Sequence, residues 1–388
     1  MKKIPYSRQS ISVEDIIQVS KTLKSDFLTT GPKIEEFEKK IAKYLNVKYA
    51  VCVNSATSAL HISCIILGLN KSSKFWTSAN SFVASANCGE LCGAKLDLVD
   101  ISLKDFNISM DIIKKKLKEK NKPKVIIPVH LAGYPCDLKK LYDLTKKFKI
   151  KILEDASHAF GTDYLKDKIG CCKYSDIAVF SFHPVKIFTS GEGGVLVTNN
   201  KKYYQKALML RNHGITRDKK KFYFKKNNNI YYEQQVLGYN YRLSDLHATL
   251  GLSQLKKLSI FNKNRNKIKN RYDIELKKLP LIFPDYKKNI KFSNHLYVVM
   301  INPLKTRKKR DQLINYLQKK GIITSIHYLP IYKHPYFKKY NFNKSKFKNS
   351  NFYYENAISL PIYPDLTKKK QKYIIKFIKK FFQKKAYD

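Results

Sequence analysis

Short apolar segments alternate with helix-like segments from residue 49 onward, and this alternation limits the folds that the chain can adopt. The apolar segments are too short to form independent helices and are bounded by polar residues or glycine, which predicts buried strands at 51–53, 75–77, 95–99, 125–129 and 151–153. Helical patterns fill the intervals, for example at 137–148, where Asp137 can cap the helix. Strands that alternate with helices form a mainly parallel sheet with helices on both faces. The sequence therefore predicts an α/β fold.

The stretch 151–199 places polar side chains where two predicted strands end. Asp155 and His158 follow the strand at 151–153, while Ser181 and Lys186 lie at or beyond the end of an apolar run at 177–182. In open α/β sheets, ligands bind just outside the carboxyl ends of the strands. We therefore expect these four side chains to face one crevice.

This set of groups suits pyridoxal phosphate. A carboxylate such as Asp155 keeps the pyridine nitrogen protonated, and a lysine amine such as Lys186 forms a Schiff base with the aldehyde. The segment 54–61 follows a predicted strand and opens an apolar helix, so its backbone N–H groups can bind the phosphate. Asp155 and Lys186 could also form a structural ion pair, but such a pair would not explain Ser181 and His158.

Several motifs resemble those of the DegT/StrS sugar aminotransferases. The resemblance extends over residues 28–361 and rests on NSATSAL at 54–60, SFVA at 81–84, DASHA at 155–159, SFH at 181–183 and HYLPIY at 327–332. Within that family the chain is most similar to the UDP-4-amino-4,6-dideoxy-N-acetyl-altrosamine transaminases of pseudaminic acid synthesis. The resemblance implies the aspartate aminotransferase fold (fold type I of the PLP-dependent transferases). A large, mainly parallel sheet domain is expected at 1–255 and a smaller C-terminal α/β domain at 256–388.

The resemblance also implies roles for individual residues. Lys186 would be the Schiff-base lysine and Asp155 the partner of the pyridinium nitrogen. His158 would lie near the ring hydroxyl, and Phe82 would stack on the ring. The phosphate would be held by Thr57, Ser58 and Ser181, and by Asn240 reaching over from the neighbouring subunit. The residues implied around the nucleotide sugar are Tyr6, His183, Arg242, Asn294, His295, His327 and Tyr328.

The implied enzyme is a homodimer with shared active sites. It would transfer an amino group from L-glutamate to C4 of a UDP-linked 4-keto-6-deoxy-N-acetylhexosamine, for pseudaminic acid or a related surface glycan. Another nucleotide 4-keto or 3-keto sugar is an alternative substrate, because a few substitutions can change the shape of a pocket. A sugar dehydratase of the same family is a further alternative, but those enzymes use His at the position of Lys186.

The formal net charge of +46 raises a different class of function. A nucleic-acid or anionic-membrane partner would favour basic residues on one face or in tails. Here they are almost all Lys and are scattered along the chain, which favours a solvated lysine surface. The basic, aromatic segment 217–235 could stack single-stranded nucleic acid, but one short segment cannot form the long groove that such binding uses. The amphipathic segment 368–382 could lie on a membrane, although such a stripe more often packs on its own domain.

The seven cysteines form no Cys-x-x-Cys pair, and the N-terminal residues lack the apolar stretch of a signal peptide. We therefore expect reduced thiols and a cytoplasmic protein. No apolar run approaches the length of a membrane span. Cys88 and Cys92 lie one helical turn apart, but we expect no nearby His or Cys to complete a metal site. His295, His327 and His334 lack the spacing of metal ligands.

The same patterns predict the remaining elements. Helices are expected at 13–23 with Ser12 as the cap, at 32–44, 243–278, 308–319 and 368–382, strands at 195–198, 296–301 and 322–326, and a surface loop at 160–170.

Overall fold

A seven-stranded sheet forms the centre of the computed structural model, which describes residues 3–224, 229–286 and 290–383. The strands are β1 (Tyr49–Val53), β2 (Lys74–Ser78), β3 (Lys95–Val99), β4 (Val125–Ile127), β5 (Lys151–Asp155), β6 (Asp163–Tyr164), β7 (Asp167–Lys168), β8 (Ile177–Ser181), β9 (Gly194–Thr198), β10 (Ile215–Thr216), β11 (Glu233–Gln234), β12 (Leu281–Ile282), β13 (Tyr297–Ile301) and β14 (Ala357–Leu360). The helices are α1 (Val13–Leu23), α2 (Pro32–Leu45), α3 (Ala56–Ile66), α4 (Ala84–Glu90), α5 (Met110–Lys116), α6 (Leu138–Thr145), α7 (Lys201–Leu210), α8 (Asp245–Lys256), α9 (Leu258–Leu276), α10 (Arg310–Lys319), α11 (Lys348–Asn356) and α12 (Lys368–Gln383).

The central sheet has the strand order β1-β9-β8-β5-β4-β2-β3. The pairs among β8, β5, β4, β2 and β3 are parallel, whereas β9 is antiparallel to both of its neighbours. β9 follows β8 without a crossover helix, and a direct return to the adjacent position reverses the strand direction. The predicted α/β fold with a mainly parallel sheet is confirmed.

Apolar side chains pack on both faces of the sheet, because successive residues of a strand point to opposite sides. In β5, for example, Ile152 belongs to one buried cluster and Leu153 to the other. Helices α2, α6 and α8 cover the first cluster, and α3, α4 and α7 cover the second. Strands buried on both faces explain the nearly continuous apolar runs in the sequence.

The C-terminal part of the chain has its own antiparallel sheet, β12-β13-β14, which packs with α9, α10 and α12. The apolar stripe of α12 is buried in this cluster through Ile374, Ile375, Ile378 and Phe381. The predicted packing of this stripe on its own domain is therefore confirmed. Among the described residues, no helix is both long and apolar enough to cross a membrane.

Residues on each side of the predicted domain boundary at 255/256 pack into the core of the other predicted domain. Ile4 from the N-terminal segment packs in the C-terminal cluster, and its backbone N–H donates to the Gly321 carbonyl at 2.8 Å. In the other direction, Ile331 and Phe337 pack in a cluster of the central sheet. The division into domains 1–255 and 256–388 stays a prediction.

Two predicted elements were wrong. The helix expected at 243–278 is divided into α8 and α9 at Lys257, whose amine donates to Ser12 Oγ at 2.7 Å and is ion-paired with Asp15. The break lets α8 pack on α1 and α2 while α9 reaches the C-terminal sheet. The strand expected at 322–326 makes only isolated bridges, from Ile322 to Ile4 and from Ser325 to Ser359.

Smaller differences concern the ends of elements and the loops. The helix expected at 137–148 ends as a 3₁₀ turn after Thr145, although Asp137 caps it as predicted. The loop at 160–170 contains the β6–β7 hairpin. The segment 217–235 begins beside the short β10–β11 pair, and its residues 225–228 lie outside the described ranges. The helix at 13–23 and its Ser12 cap are confirmed.

A thiol cluster lies between α3 and α4. His61 and Cys64 of α3 interact with Cys92, one turn beyond Cys88 on α4, so a His and a third Cys do lie near the Cys88–Cys92 pair. No group of three or more metal-ligating side chains is arranged to hold a metal ion within the described ranges. A hydrogen bond from Cys64, assisted by His61, lowers the pKa of Cys92 to about 6.

We predict that Cys92 reacts with iodoacetamide faster than Cys171 at pH 7. Both thiols are partly exposed, but burial raises the pKa of Cys171, whereas Cys92 is largely thiolate above pH 6. Peptide mass spectrometry after timed alkylation measures both rates in one sample. Equal rates at pH 7, or a faster rate at Cys171, would contradict the assignment.

Candidate active site

A cavity of about 310 Å³ lies at the carboxyl ends of β5 and β8, beside the start of α3. This is the edge at which an open α/β sheet binds its ligands. The cavity is lined by eleven of the predicted site residues, which are Tyr6, Thr57, Phe82, Asp155, His158, Ser181, His183, Lys186, His295, His327 and Tyr328. Residues that are far apart in the sequence therefore converge, as the strand pattern predicts.

Lys186 lies on the loop between β8 and β9, and hydrogen bonds within this loop stabilise its conformation. The Phe182 N–H donates to the Gly193 carbonyl at 2.9 Å, and the Thr189 hydroxyl donates to the Phe182 carbonyl at 2.8 Å. Burial of the amine lowers the pKa of Lys186 to about 8, and the nearby Asp155 carboxylate opposes part of this effect. A larger fraction of the amine is thus uncharged near neutral pH than in an ordinary lysine, as a nucleophilic amine requires.

Asp155 is the last residue of β5 and is 5% exposed. One of its carboxylate oxygens accepts a hydrogen bond from the Ser85 hydroxyl at 2.6 Å, and the other accepts one from the Ser157 N–H at 3.2 Å. Sequence reasoning did not single out Ser85. Its spacing of four residues from Ser81 is the only local signal, and that spacing does not show that the start of α4 faces β5.

The start of α3 and the start of β9 are in direct backbone contact. A Cβ built on Gly194 would lie 2.4 Å from the Ala56 nitrogen and 2.5 Å from the Ser55 carbonyl carbon. The first N–H groups of a helix have no partner within the helix and attract anions. Thr57 and Ser181 line the cavity beside them, so this corner has the composition of a phosphate site.

Ser58 does not line this cavity. Its hydroxyl donates to Asn54 Oδ1 at 2.6 Å, and its backbone N–H donates to the N-cap hydroxyl of Ser55 at 3.1 Å. The Ser58 side chain that the resemblance assigned to the phosphate is therefore bonded to Asn54, while its backbone N–H is capped by Ser55. Ser55, which sequence reasoning passed over, does line the cavity.

Buried imidazoles and a tyrosine form the opposite wall. His158 Nε2 is 3.0 Å from the Tyr328 hydroxyl, and the rings of His158 and His295 are 4.4 Å apart. Burial lowers the pKa of His158 and of His295 well below the ordinary value, and lowers that of His327 to about 3. All three imidazoles are therefore neutral at pH 7. Within the described residues, Nδ1 of His158 and Nδ1 of His295 are buried without a hydrogen-bond partner.

Three other predicted residues lie away from this cavity. Arg242 lines a separate cavity and donates to Asn212 Oδ1 at 2.6 Å, while Asn240 is exposed. Asn294 lines a third cavity, and its amide donates to the Phe292 carbonyl at 3.1 Å. The structure of one subunit thus separates these residues from Lys186.

The donor set fits pyridoxal phosphate. The cavity combines a buried amine with a lowered pKa, a hydrogen-bonded carboxylate and the aromatic ring of Phe82. It also includes the start of α3, which β9 can approach this closely because residue 194 is glycine. These groups match the aldehyde, ring nitrogen, ring face and phosphate of that molecule.

Comparisons with known proteins agree with this chemistry. Residues 9–379 match the family described as DegT/DnrJ/EryC1/StrS aminotransferases. A UDP-4-amino-4,6-dideoxy-N-acetyl-beta-L-altrosamine transaminase from Campylobacter jejuni is 36% identical over 376 residues, which cover 96% of this chain and 95% of the relative.

Solved structures show the same similarity. Helicobacter pylori PseC, an aminotransferase involved in the biosynthesis of pseudaminic acid, superposes with a TM-score of 0.89 at 30% identity, covering 98% of this chain and all of that chain. The PLP form of the putative sugar aminotransferase Spr1654 from Streptococcus pneumoniae has a TM-score of 0.88 at 28% identity, covering 97% and 98% of the two chains. The predicted aspartate aminotransferase-type fold is therefore confirmed.

We predict that Gly194→Ala weakens binding of pyridoxal phosphate by about fivefold or more. The added methyl group would collide with backbone atoms of α3, and overpacking of this kind costs about 1–3 kcal/mol. The matched control is Gly321→Ala, whose added Cβ meets no atom within 4 Å, so its effect is confined to its backbone conformation. Fluorescence titration with pyridoxal phosphate and urea unfolding would measure both variants. Native affinity in Gly194→Ala would contradict the predicted phosphate site.

Proposed function

The chain belongs to the DegT/DnrJ/EryC1/StrS aminotransferase family, and on that premise we propose a specific reaction for it. It transfers an amino group from L-glutamate to C4 of a UDP-linked 4-keto-6-deoxy-N-acetylhexosamine, with pyridoxal 5'-phosphate as cofactor. The observation that carries the proposal is the convergence of Lys186, Asp155 and the α3 helix start on one cavity. The relatives named above support the choice of sugar, for pseudaminic acid or a related surface glycan.

Lys186 and Asp155 carry the chemistry. Bound pyridoxal phosphate supplies an aldehyde and an electron-accepting ring. Lys186 would hold that group through its amine and, when the amine is free, would take and return a proton as a general base and acid. A pKa of about 8 suits this task, because the amine can exist in both forms near neutral pH. Asp155 would keep the ring nitrogen protonated.

The sugar binds against the neutral wall of the cavity. His295, His327, Tyr328 and Tyr6 offer hydrogen bonds without placing a fixed charge beside the reacting carbon. His183 lies at the exposed rim, 4.0 Å from Glu192. We leave Asn294 out of this sugar site because its amide is bonded elsewhere. The strongly positive surface attracts the diphosphate of the nucleotide by long-range electrostatics.

The active unit is a homodimer with shared sites. α1 packs on α8 through one side, where Thr22 meets Thr249, and its other side exposes apolar side chains. The exposed residues are Val13, Ile16, Ile17 and Leu23 of α1, and Phe27 and Leu28 in the segment that follows it. Contiguous exposed apolar residues mark protein interfaces. Asn240 and Arg242, which lie away from the cavity of their own subunit, contribute to that of the partner.

Alternative functions are less well supported. Other nucleotide 4-keto or 3-keto sugars would fit a cavity with the same reactive groups, so they stay as alternative substrates. The family dehydratases carry His where this chain has Lys186. A membrane-binding role for α12 is disfavoured because its apolar stripe is buried in the C-terminal cluster.

We predict that Lys186 is trapped selectively by pyridoxal phosphate and borohydride. Trapping should rise as pH increases through about 8, because the neutral amine is the nucleophile, whereas ordinary surface lysines become reactive only near pH 10. Peptide mapping locates the label. Lys186→Ala should lose both the label and glutamate-dependent amination of the keto sugar. Amination that persists undiminished in Lys186→Ala would rule out the proposed mechanism.

We predict that two inactive variants, Lys186→Ala and Asn240→Ala, restore activity when refolded together. A mixed dimer has one site with a native Lys186 and a native Asn240 from the partner, so random assembly restores roughly a quarter of native activity. A lack of recovery, with mixed dimers demonstrated by mass spectrometry, would contradict a shared site.

A further inference from the structure

Two buried serines form a hydrogen-bonded chain that ends on Asp155. Ser81 Oγ lies 2.8 Å from Ser85 Oγ, and Ser85 Oγ lies 2.6 Å from Asp155 Oδ2. The two serines are 1% and 0% exposed. A carboxylate can only accept hydrogen bonds, so Ser85 donates to Asp155 and its oxygen accepts from Ser81. The chain therefore has one direction, from Ser81 through Ser85 to Asp155.

Helix structure alone does not account for the position of the Ser85 hydroxyl. A serine within a helix normally bonds to a backbone carbonyl of the preceding turn. Ser63 in α3 does so, with its hydroxyl 2.6 Å from the Ala59 carbonyl. Ser85 is equally buried but is the second residue of α4, and its proton goes to a carboxylate 70 residues further along the chain.

We propose that Ser85 is a positioning residue, which holds the Asp155 carboxylate in one orientation and keeps it ionised so that it can bind a protonated ring nitrogen. Ser81 supports this role by directing the Ser85 hydroxyl. The inference rests on the proposed function, because it concerns the same cavity and the same cofactor. It assigns a role to Ser85, which does not line the cavity, and to Ser81, which lines it beside Phe82.

The geometry explains how a neutral hydroxyl can matter beside charged groups. Lys186 and Tyr328 also face Asp155, and neither makes a hydrogen bond to it that would fix the rotation of the carboxylate. The Ser85 bond does fix that rotation, together with the Ser157 N–H on the other oxygen. A hydrogen bond to the charged form of a carboxylate also lowers its affinity for a proton. Orientation and charge are thus controlled from one short segment, 81–85, which also carries the Phe82 ring.

The test compares Ser85→Ala with Ser63→Ala, a matched loss of a buried helical hydroxyl. In cofactor-free protein labelled with ¹³C at the aspartate carboxyl groups, the Asp155 signal is identified by its loss in Asp155→Asn. We expect this signal to titrate about one pH unit higher in Ser85→Ala than in native protein. It should be unchanged in Ser63→Ala and restored toward native by Ser85→Thr, which retains the hydroxyl.

The loaded enzyme gives a second readout. With pyridoxal phosphate bound, a more basic Asp155 would draw the shared proton away from the ring nitrogen. The pH at which the visible absorbance of the bound cofactor changes should therefore also be higher in Ser85→Ala than in native protein. If Ser85→Ala fails to fold, Ser81→Ala keeps the direct bond and should shift both titrations less, in the same direction.

The two readouts separate this inference from the proposed function. Native Asp155 titration in Ser85→Ala, or equal shifts in Ser85→Ala and Ser63→Ala, would overturn the positioning role. If Ser85→Ala is unfolded, an Asp155 titration in Ser81→Ala that equals that of native protein would overturn the positioning role. A native protein that binds no pyridoxal phosphate would overturn the proposed function, while the carboxyl titration would still decide whether Ser85 controls Asp155.

Discussion

The parallel pairing of β5 with β8 determines where the chemistry of this protein takes place. Its register sets Leu153 opposite Ile177 and Asp155 opposite Val179, so the end of β5 and the loop after β8 open onto the same edge. At that edge the two strands place Asp155 and Ser181 at their carboxyl ends. Asp155 and Lys186 then share a cavity in which burial lowers the pKa of the amine and the carboxylate limits the decrease. Both effects follow from this register.

Two further contacts convert that edge into a specific site. Gly194 in β9 lets the start of α3 approach the sheet at a distance that no larger residue permits, which brings helix N–H groups to the cavity. The Ser81–Ser85 chain approaches from the start of α4 and fixes the carboxylate. Helices on one face of the sheet thus supply the binding groups, while the strand ends supply the reactive ones.

Local sequence patterns predicted the fold and the centre of the site because both depend on local periodicity and on strand ends. The sequence itself shows the buried apolar runs, the helix caps at Ser12 and Asp137, and the polar residues after β5 and β8. The break between α8 and α9 could not be predicted in this way, because the Lys257 side chain contacts Ser12 and Asp15, which are distant in the sequence. Asn294 and Ser85 show the same limit, because the direction of their side chains is set by tertiary contacts. The family resemblance gave residue types but not these directions.

We propose that this cavity binds pyridoxal phosphate through Lys186 and that the bound cofactor carries the amino group from L-glutamate to the keto sugar. The most direct measurement is the visible absorption spectrum of the purified protein before and after addition of L-glutamate. We expect a visible band from a lysine-bound cofactor, and we expect glutamate to bleach it. A protein that stays colourless after incubation with pyridoxal phosphate would contradict the assignment of Lys186 and would make the net charge of +46 the leading clue to function.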